Sequence, residues 1–566
     1  MAENIIFDKL SVLQNVYLNA LPNVQQHKQY DRIKTNLYPH QRNMVEGMYL
    51  HREKLTRGFL SDNQAIQGKI GIVADPPGSG KTLSVLAYLA GYSKQYPKMN
   101  CELTPTSSQY FFSHDIHAAD TLRTANILIV PHYLYQHWIH EIQTHTTLPY
   151  CGIETKHALQ NEECARKMLE SVCVITTNKC FKSVQQYASD HQIVWNNVFI
   201  DEASSIYIKS SDPRLHFQFL WFITNNWIPL LFKNPFLSKI DLYHLRDRLS
   251  LPPDLEEWLL DNQIPHYESS FVSSHYLKDY MPFLHRKKYY IVLRNTNECI
   301  KNSIQLPPYS TETYVCRPNV TLQSFASYMS SHGMDITVQN IQYIVQVLNI
   351  DCSDVDTYMK TKPSTVHTLI QTKVMENECV ICMEHATYPM IVNCCYNIYC
   401  GRCILTNMMI NQRCPTCREP LGTNTICCLN TVWSQEPRIL KSKMEACVDI
   451  IRQHEKGRFI IYSSFDNIYF QLSEHMNMLG LKAERIENNL YSLLRSWKNY
   501  QEGRTHVLFV SNIELIRGMS LHSTSHLIFY HELSSYEWKQ VLIHSAQRIG
   551  RQESLNLIHL DSELQV

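Results

Sequence analysis

The chain has 566 residues, 44% hydrophobic and 18% charged, which excludes wholesale disorder and predicts about three to four domains of ~150 residues each. Lys plus Arg number 52 and Asp plus Glu number 52, so the formal net charge is zero and a globally basic nucleic-acid coat is excluded. Nineteen cysteines, ten of them between Cys379 and Cys428, point to a reducing compartment and a local metal module rather than a disulfide scaffold.

Residues 1–35 read as an N-terminal extension. The opening MAENIIFDKL has no basic stretch followed by an apolar core, so no secretory signal is expected. Apolar runs bounded by polar residues follow: IGIVA (70–74), ILIVP (127–131), VCVIT (172–176), NVFID (197–201) and FLWFIT (219–224). Such runs suit parallel strands covered on both faces and predict an α/β lobe over 36–232. The most apolar window, 217–232, is broken by Asn225, Asn226 and Pro229, so no membrane span is expected. Residues 233–375 carry weaker strand signals and helix-like stretches such as 320–349, and read as a helical protrusion and connector. A cysteine-rich module fills 376–422. A second set of strands then recurs, FIIYS (459–463), HVLFVS (506–511), HLIFY (526–530) and LNLIHL (555–560), predicting a second α/β lobe over 423–566.

The first strand runs into DPPGSGKT, with Gly78, Ser79, Gly80, Lys81 and Thr82 just before a helical pattern. Glycines let the backbone approach phosphates, and a helix N-terminus offers free N–H groups to an anion. Lys81 is placed to reach β and γ phosphates and the Thr82 hydroxyl to ligate Mg²⁺. Asp75 stands where the full phosphate-loop pattern has its first glycine. Downstream, VFIDEASS sets Asp201 and Glu202 at a strand end, where Asp201 is suited to Mg²⁺ and Glu202 to orienting water.

The cysteine module holds three C-x-x-C pairs, Cys379/Cys382, Cys400/Cys403 and Cys414/Cys417, with Cys394/Cys395 between them. Tetrahedral Zn²⁺ takes four soft ligands, so this count implies two structural ions. Cys427 and Cys428 lie outside the pattern and read as buried thiols.

In order and spacing these motifs resemble the chromatin-remodelling (switch/sucrose-nonfermenting) class of superfamily-two helicase-like ATPases. LYPHQRNMVEGM (37–48) resembles the segment that places Gln41 against adenine. ADPPGSGKT, LIVPHYLYQHWIHEI (128–142), ITTNKC (175–180), DEAS (201–204) and LRNTNECIKNSIQLPP (293–308) resemble successive motifs of a first lobe. RFIIYSSFDN (458–467), VLFVSNIELIRGMSL (507–521) and QVLIHSAQRIGRQ (540–552) resemble those of a second. The resemblance implies two RecA-like parallel-sheet lobes, ATP and Mg²⁺ as ligands, and ATP-driven movement on double-stranded DNA. It implies that Arg548 stabilises the transferring phosphoryl group, with Arg551 as the second candidate. Three departures stand out: Thr224-Asn225-Asn226-Trp227 replaces Thr-Gly-Thr-Pro, Ile543-His544 replaces an early Gly-Arg, and Ser204 replaces the DEAH histidine.

The cysteine module is similar to a RING finger, whose ligand pairs interleave. That resemblance implies one site of Cys379, Cys382, Cys400 and Cys403 and a second of Cys395, Cys414 and Cys417. The usual histidine position is Asn397, so the fourth ligand is Asn397 through its carbonyl, Cys394 or water, with His385 a distant choice. It also implies a ubiquitin-conjugating enzyme docked on Ile381 and Pro415, with Arg418 beside it. A finger inserted between motor lobes is similar to short proteins of large nucleocytoplasmic DNA viruses, which implies a nuclear or viral-factory location. The alternative reading is a RING ubiquitin ligase or scaffold whose degenerate motor lobes only bind nucleic acid or partners.

Overall fold

The computed structural model describes residues 11–21, 30–61, 64–91, 108–110, 123–160, 163–203, 206, 217–225, 227–231, 287–429, 440–533 and 536–562. Ser204, Asn226 and the expected protrusion over 233–286 lie outside the described residues. The chain divides into two compact units: residues 1–310 with 484–525 and 533–555, and residues 311–483 with 526–532 and 556–566. Among the described residues no helix is long and apolar enough to cross a membrane.

The first unit is built on seven parallel strands: β1 (Ile70–Val73), β2 (Arg123–Val130), β3 (Tyr150–Ile153), β4 (Cys173–Thr177), β5 (Ile193–Asp201), β6 (Phe217–Ile223) and β7 (Val292–Leu293). Their spatial order is β7-β1-β6-β5-β2-β4-β3. The five runs read as strands are strands, and β3 and β7 are added. Both were too short or too polar to stand out. The continuous apolar character of β1, β4 and β6 follows from burial on both faces: Ile72, Val174, Phe219 and Trp221 are all fully enclosed.

Register sets the chemistry. Val73 and Asp201 both pair with Ile223. Two strand spacings of ~4.8 Å therefore separate the end of β1 from the acidic pair, at the carboxyl edge of the sheet where open α/β sheets bind ligands. Helix α1 (Pro39–Arg57) starts on a proline, and its Gln41 Oε1 accepts the Tyr38 N–H at 2.9 Å, closing the first turn. Its far end is held by Arg52, which donates to Asn197 Oδ1 at 2.5 Å and Asn196 Oδ1 at 3.0 Å inside the core. Helices α2 (Lys81–Gly91) and α3 (Tyr135–His145) follow β1 and β2.

The second unit contains a core shared by the connector and the cysteine module. Strands β8 (Asp351–Ser353), β9 (Pro389–Val392), β10 (Ile398–Cys400) and β11 (Ile426–Leu429) form a sheet of order β8-β11-β9-β10. Only the β8–β11 pair is parallel. Helix α4 (Gly401–Ile410) follows β10, and Phe325, Ile344 and Tyr358 from the connector are buried in the same cluster as Met390, Ile404 and Cys428. Tyr358 O–H and the Lys362 ammonium both donate to Asn393 Oδ1, at 2.7 and 3.0 Å. The helix-like reading of 320–349 holds for Leu322–Ser331 and Ile341–Val347. Elsewhere in this unit β12 (Phe459–Tyr462), β13 (His526–Phe529) and β14 (Leu555–Asp561) lie side by side and parallel, as expected of a second α/β sheet.

Candidate functional site

The loop between β1 and α2 is a phosphate cradle by its own geometry. Gly78 and Gly80 have φ of +78° and +77°, the left-handed region that side chains disfavour. A Cβ on Gly78 would sit 2.8 Å from Arg548 Cβ, and one on Gly80 would sit 2.3 Å from Gln41 Nε2. Backbone conformation thus calls for glycine at both positions, and at Gly78 the close approach of Arg548 adds to it. Ser79 Oγ is buried without a hydrogen-bond partner among the described residues, Lys81 and Thr82 at the start of α2 line the adjoining cavity, and the Lys81 ammonium donates to the loop's own Asp75 and Pro76 carbonyls at 2.9 and 3.1 Å. This donor-rich hollow fits a polyanion.

Asp75, in the missing-glycine position, has a structural task. Its carboxylate accepts from the Asn295 backbone N–H and from Asn295 Nδ2, both at 2.7 Å. Asn295 is itself oriented by Asn43, which donates to its Oδ1 at 2.7 Å. His40 Nε2 bonds the Ser79 carbonyl at 2.7 Å and Gln41 Nε2 donates to the Gly80 carbonyl at 3.2 Å. The carbonyl can only accept, so His40 Nε2 carries the proton.

A cavity opens beside this loop. It is lined by Lys81, Thr82, Asp201, Glu202 and Arg548 together with the sequence-unflagged His137 and Arg517. Trp138 Nε1–H donates to Asp201 Oδ2 and the Glu202 N–H to Asp201 Oδ1, at 2.7 and 2.9 Å. Burial pushes the Asp201 carboxyl up to about 7, the Glu202 charge adds to this, and those two hydrogen bonds oppose it. Burial holds Lys81 below its usual range while Glu202, Asp75 and Asp201 pull it back up. The donor set of a threonine hydroxyl beside a buried carboxylate fits a hard divalent cation such as Mg²⁺.

Arg548 lines the cavity and donates to the Met519 and Gly518 carbonyls at 2.8 and 3.3 Å. Arg551 is placed differently. It is only 6% exposed, and its guanidinium donates to the Thr524 and Ser554 carbonyls at 2.7 and 2.8 Å. It braces the turn after the Tyr536–Ala546 helix and does not line the cavity. Gln41 reaches the loop, not the cavity lining. Asn225 lines the cavity; Asn226 lies outside the described residues.

The cysteines gather into two groups of four, Cys379, Cys382, Cys400 and Cys403, and Cys394, Cys395, Cys414 and Cys417, with all sulfurs of a group within 4.8 Å. Cys382–Cys400 and Cys395–Cys414 sulfurs are 3.7 Å apart. A tetrahedron with Zn–S bonds of about 2.3 Å has edges of about 3.8 Å, so both groups fit Zn²⁺. Each is seeded by the same turn. Cys379 N–H donates to the Glu384 carbonyl and Met383 N–H to the Cys379 carbonyl, both at 2.8 Å. Cys414 N–H donates to Glu419 at 2.8 Å and Arg418 N–H to Cys414 at 3.0 Å. Met383 and Arg418 close these turns at φ +56° and +64°.

Of the options for the second group's fourth ligand, the structure brings in the Cys394 sulfur. Asn397 instead donates its Nδ2–H to Cys395 Sγ at 3.4 Å, the outer-layer contact a thiolate ligand accepts. His385 bonds Asn377 and joins neither group. Cys427 and Cys428 are buried in β11, outside both groups.

Residues 40–230 match the family described as the SNF2-related domain. The chain is 20% identical over 594 residues to a helicase candidate of Acanthamoeba polyphaga mimivirus, covering 89% of this chain and 69% of that one. It is 21% identical over 164 residues to the helicase-like transcription factor of Oryctolagus cuniculus, covering 25% of this chain and 16% of that protein. Among solved structures it is similar to the Pyrococcus furiosus Hef helicase domain (10% identity, 92% and 95% of the two chains, TM-score 0.38). It is also similar to the Sulfolobus solfataricus SWI2/SNF2 ATPase core in complex with dsDNA (15% identity, 95% and 90%, TM-score 0.29). Residues 40–230 thus match an SNF2-related domain, and the chain is similar to helicase-like ATPases of the SNF2 type.

Proposed function

We propose that the chain hydrolyses ATP in the cavity beside the phosphate loop and uses that cycle to move along double-stranded DNA. The observation that carries this reading is the convergence of Lys81, Thr82, Asp201, Glu202 and Arg548 on one cavity. Lys81 exchanges its two loop carbonyls for the β and γ phosphates, and the α2 amides take the remaining phosphate charge. Thr82 and Asp201 would hold Mg²⁺, which when bound neutralises phosphate oxygens. Glu202 orients the attacking water, and Arg548 stabilises charge on the transferring group. Purified wild-type protein turns over ATP, and Lys81→Ala lowers turnover at least ~100-fold. Equal turnover by the two proteins contradicts the assignment.

In this reading 36–232 and 423–566 are RecA-like motor lobes, and 376–422 is a RING finger with two structural Zn²⁺ ions. Ile381 is 42% exposed on the first zinc turn, and Arg418 is exposed on the second, which supports docking of a ubiquitin-conjugating enzyme there with Pro415. Zinc supplies folding energy only; the finger's side chains supply the docking surface. Wild-type protein builds ubiquitin chains with at least one conjugating enzyme of a panel, and Arg418→Ala loses most of that yield. No chains with any enzyme would reduce the finger to a structural module. A DNA-bearing nuclear or viral-factory location suits both activities.

A further inference from the structure

The cavity contains an imidazole that none of the roles above employs. His544 sits on the helix Tyr536–Ala546, four residues before Arg548, and both side chains line the cavity. The ring is buried in the cavity wall, and the Gln540 carbonyl one turn back on the same helix is its backbone hydrogen-bond partner.

We propose that His544 is a further phosphate-binding residue of this site, contacting the triphosphate as an imidazolium. The proposal rests on the ATP reading and deepens it. The charged groups lining the same cavity are Lys81 at the start of α2, Asp201 and Glu202 at the end of β5, Arg517 in the loop before Gly518, and Arg548, together with the neutral His137 of α3. Without nucleotide the ring is neutral. Burial pushes it down to about 4, the Gln540 carbonyl one turn back opposes this, and the Lys81 and Arg548 charges add to it. His137 is likewise pushed down to about 3 by burial, then by Arg548. A triphosphate reverses the sign of the local field, so the ring gains a proton and a charge-assisted hydrogen bond together. Binding therefore takes up a proton, and affinity falls as pH rises.

The test is calorimetric binding of the Mg²⁺ complex of the β,γ-imido analogue of ATP, near neutral pH, in two buffers of different ionisation enthalpy. Wild type is compared with His544→Gln and His544→Arg. Wild type takes up about half a proton or more beyond His544→Gln. His544→Arg, carrying a permanent charge, binds within about threefold of wild type but shows the lower proton uptake of His544→Gln. Taking the difference between variants removes the contributions of the nucleotide, His137 and Asp201. Equal proton uptake by wild type and His544→Gln, with both binding nucleotide, overturns the proposal and leaves the ATP site standing. Absence of nucleotide binding by wild type overturns both. Loss of binding by both variants marks a packing role for His544 and overturns the proposal alone.

Discussion

At the residue scale, the groups with strong local signatures were legible. Gly78, Gly80, Lys81 and Thr82 lie within five positions between a strand and a helix, so their chemistry is written in one short run. Asp75 was not legible. It breaks the phosphate-loop pattern, and its partner Asn295 is 220 positions away. Only the paired ends of β1 and β7 bring them together. Arg551 shows the reverse error: an arginine next to a motif reads as a ligand group, yet four backbone carbonyls surround its guanidinium. Asp201 carries a stability consequence. Its carboxyl titrates at about 7 in the fold against 3.8 ordinarily, so the folded protein favours the protonated form. The linked stability is complete below the ordinary carboxyl range and is lost as pH rises through about 7. Asp201→Asn keeps an acceptor for Trp138, gives up the one for the Glu202 N–H, and never ionises. It therefore raises Tm at pH 8 by about 2–4 °C while abolishing ATP turnover. A lower Tm at pH 8 would show that the carboxylate is stabilising there.

At the element scale, parallel strands announce themselves by continuous apolar runs, and all five of the first-lobe runs were found. Short strands escape this rule: β7 has two residues and β3 alternates with an exposed Gly152. The cysteine turns were legible because C-x-x-C is local. The fourth sulfur was harder, since Cys394 and Asn397 lie in the same short connection between β9 and β10 and spacing alone favours neither. What decides is the backbone, with Tyr396 at φ +57° reversing the chain after both sulfurs. Atomic absorption on purified variants separates the two. Asn397→Ala retains two Zn²⁺ per chain, whereas Cys394→Ser retains close to one, matching the two four-thiol groups. One Zn²⁺ in Asn397→Ala would restore Asn397 as the ligand. The shared core of connector and finger was invisible in sequence, because β8 is three residues long and pairs with β11 only in the tertiary structure.

At the scale of the whole molecule, two chemistries occupy separate parts of the chain. The cavity beside the phosphate loop draws on the loop itself, on Leu134 and His137, on Asp201, Glu202 and Asn225, and on residues from Arg517 to Met519 and from Val541 to Arg548, so it exists only when distant segments assemble. The two four-thiol groups use residues 379–417 alone. Net neutrality fits this division, since neither a phosphate cavity nor a thiolate cluster needs a global field, and any DNA contact is made by local charge. The departures at Asn225 and His544 both fall on the cavity wall. The central claim is that this cavity powers movement on DNA. It is tested most directly by the steady-state ATPase rate of the full chain with and without blunt duplex DNA. The account predicts that duplex raises the rate at least ~5-fold, with the gain weakening as salt is added. A rate unchanged by duplex at every salt concentration would contradict it.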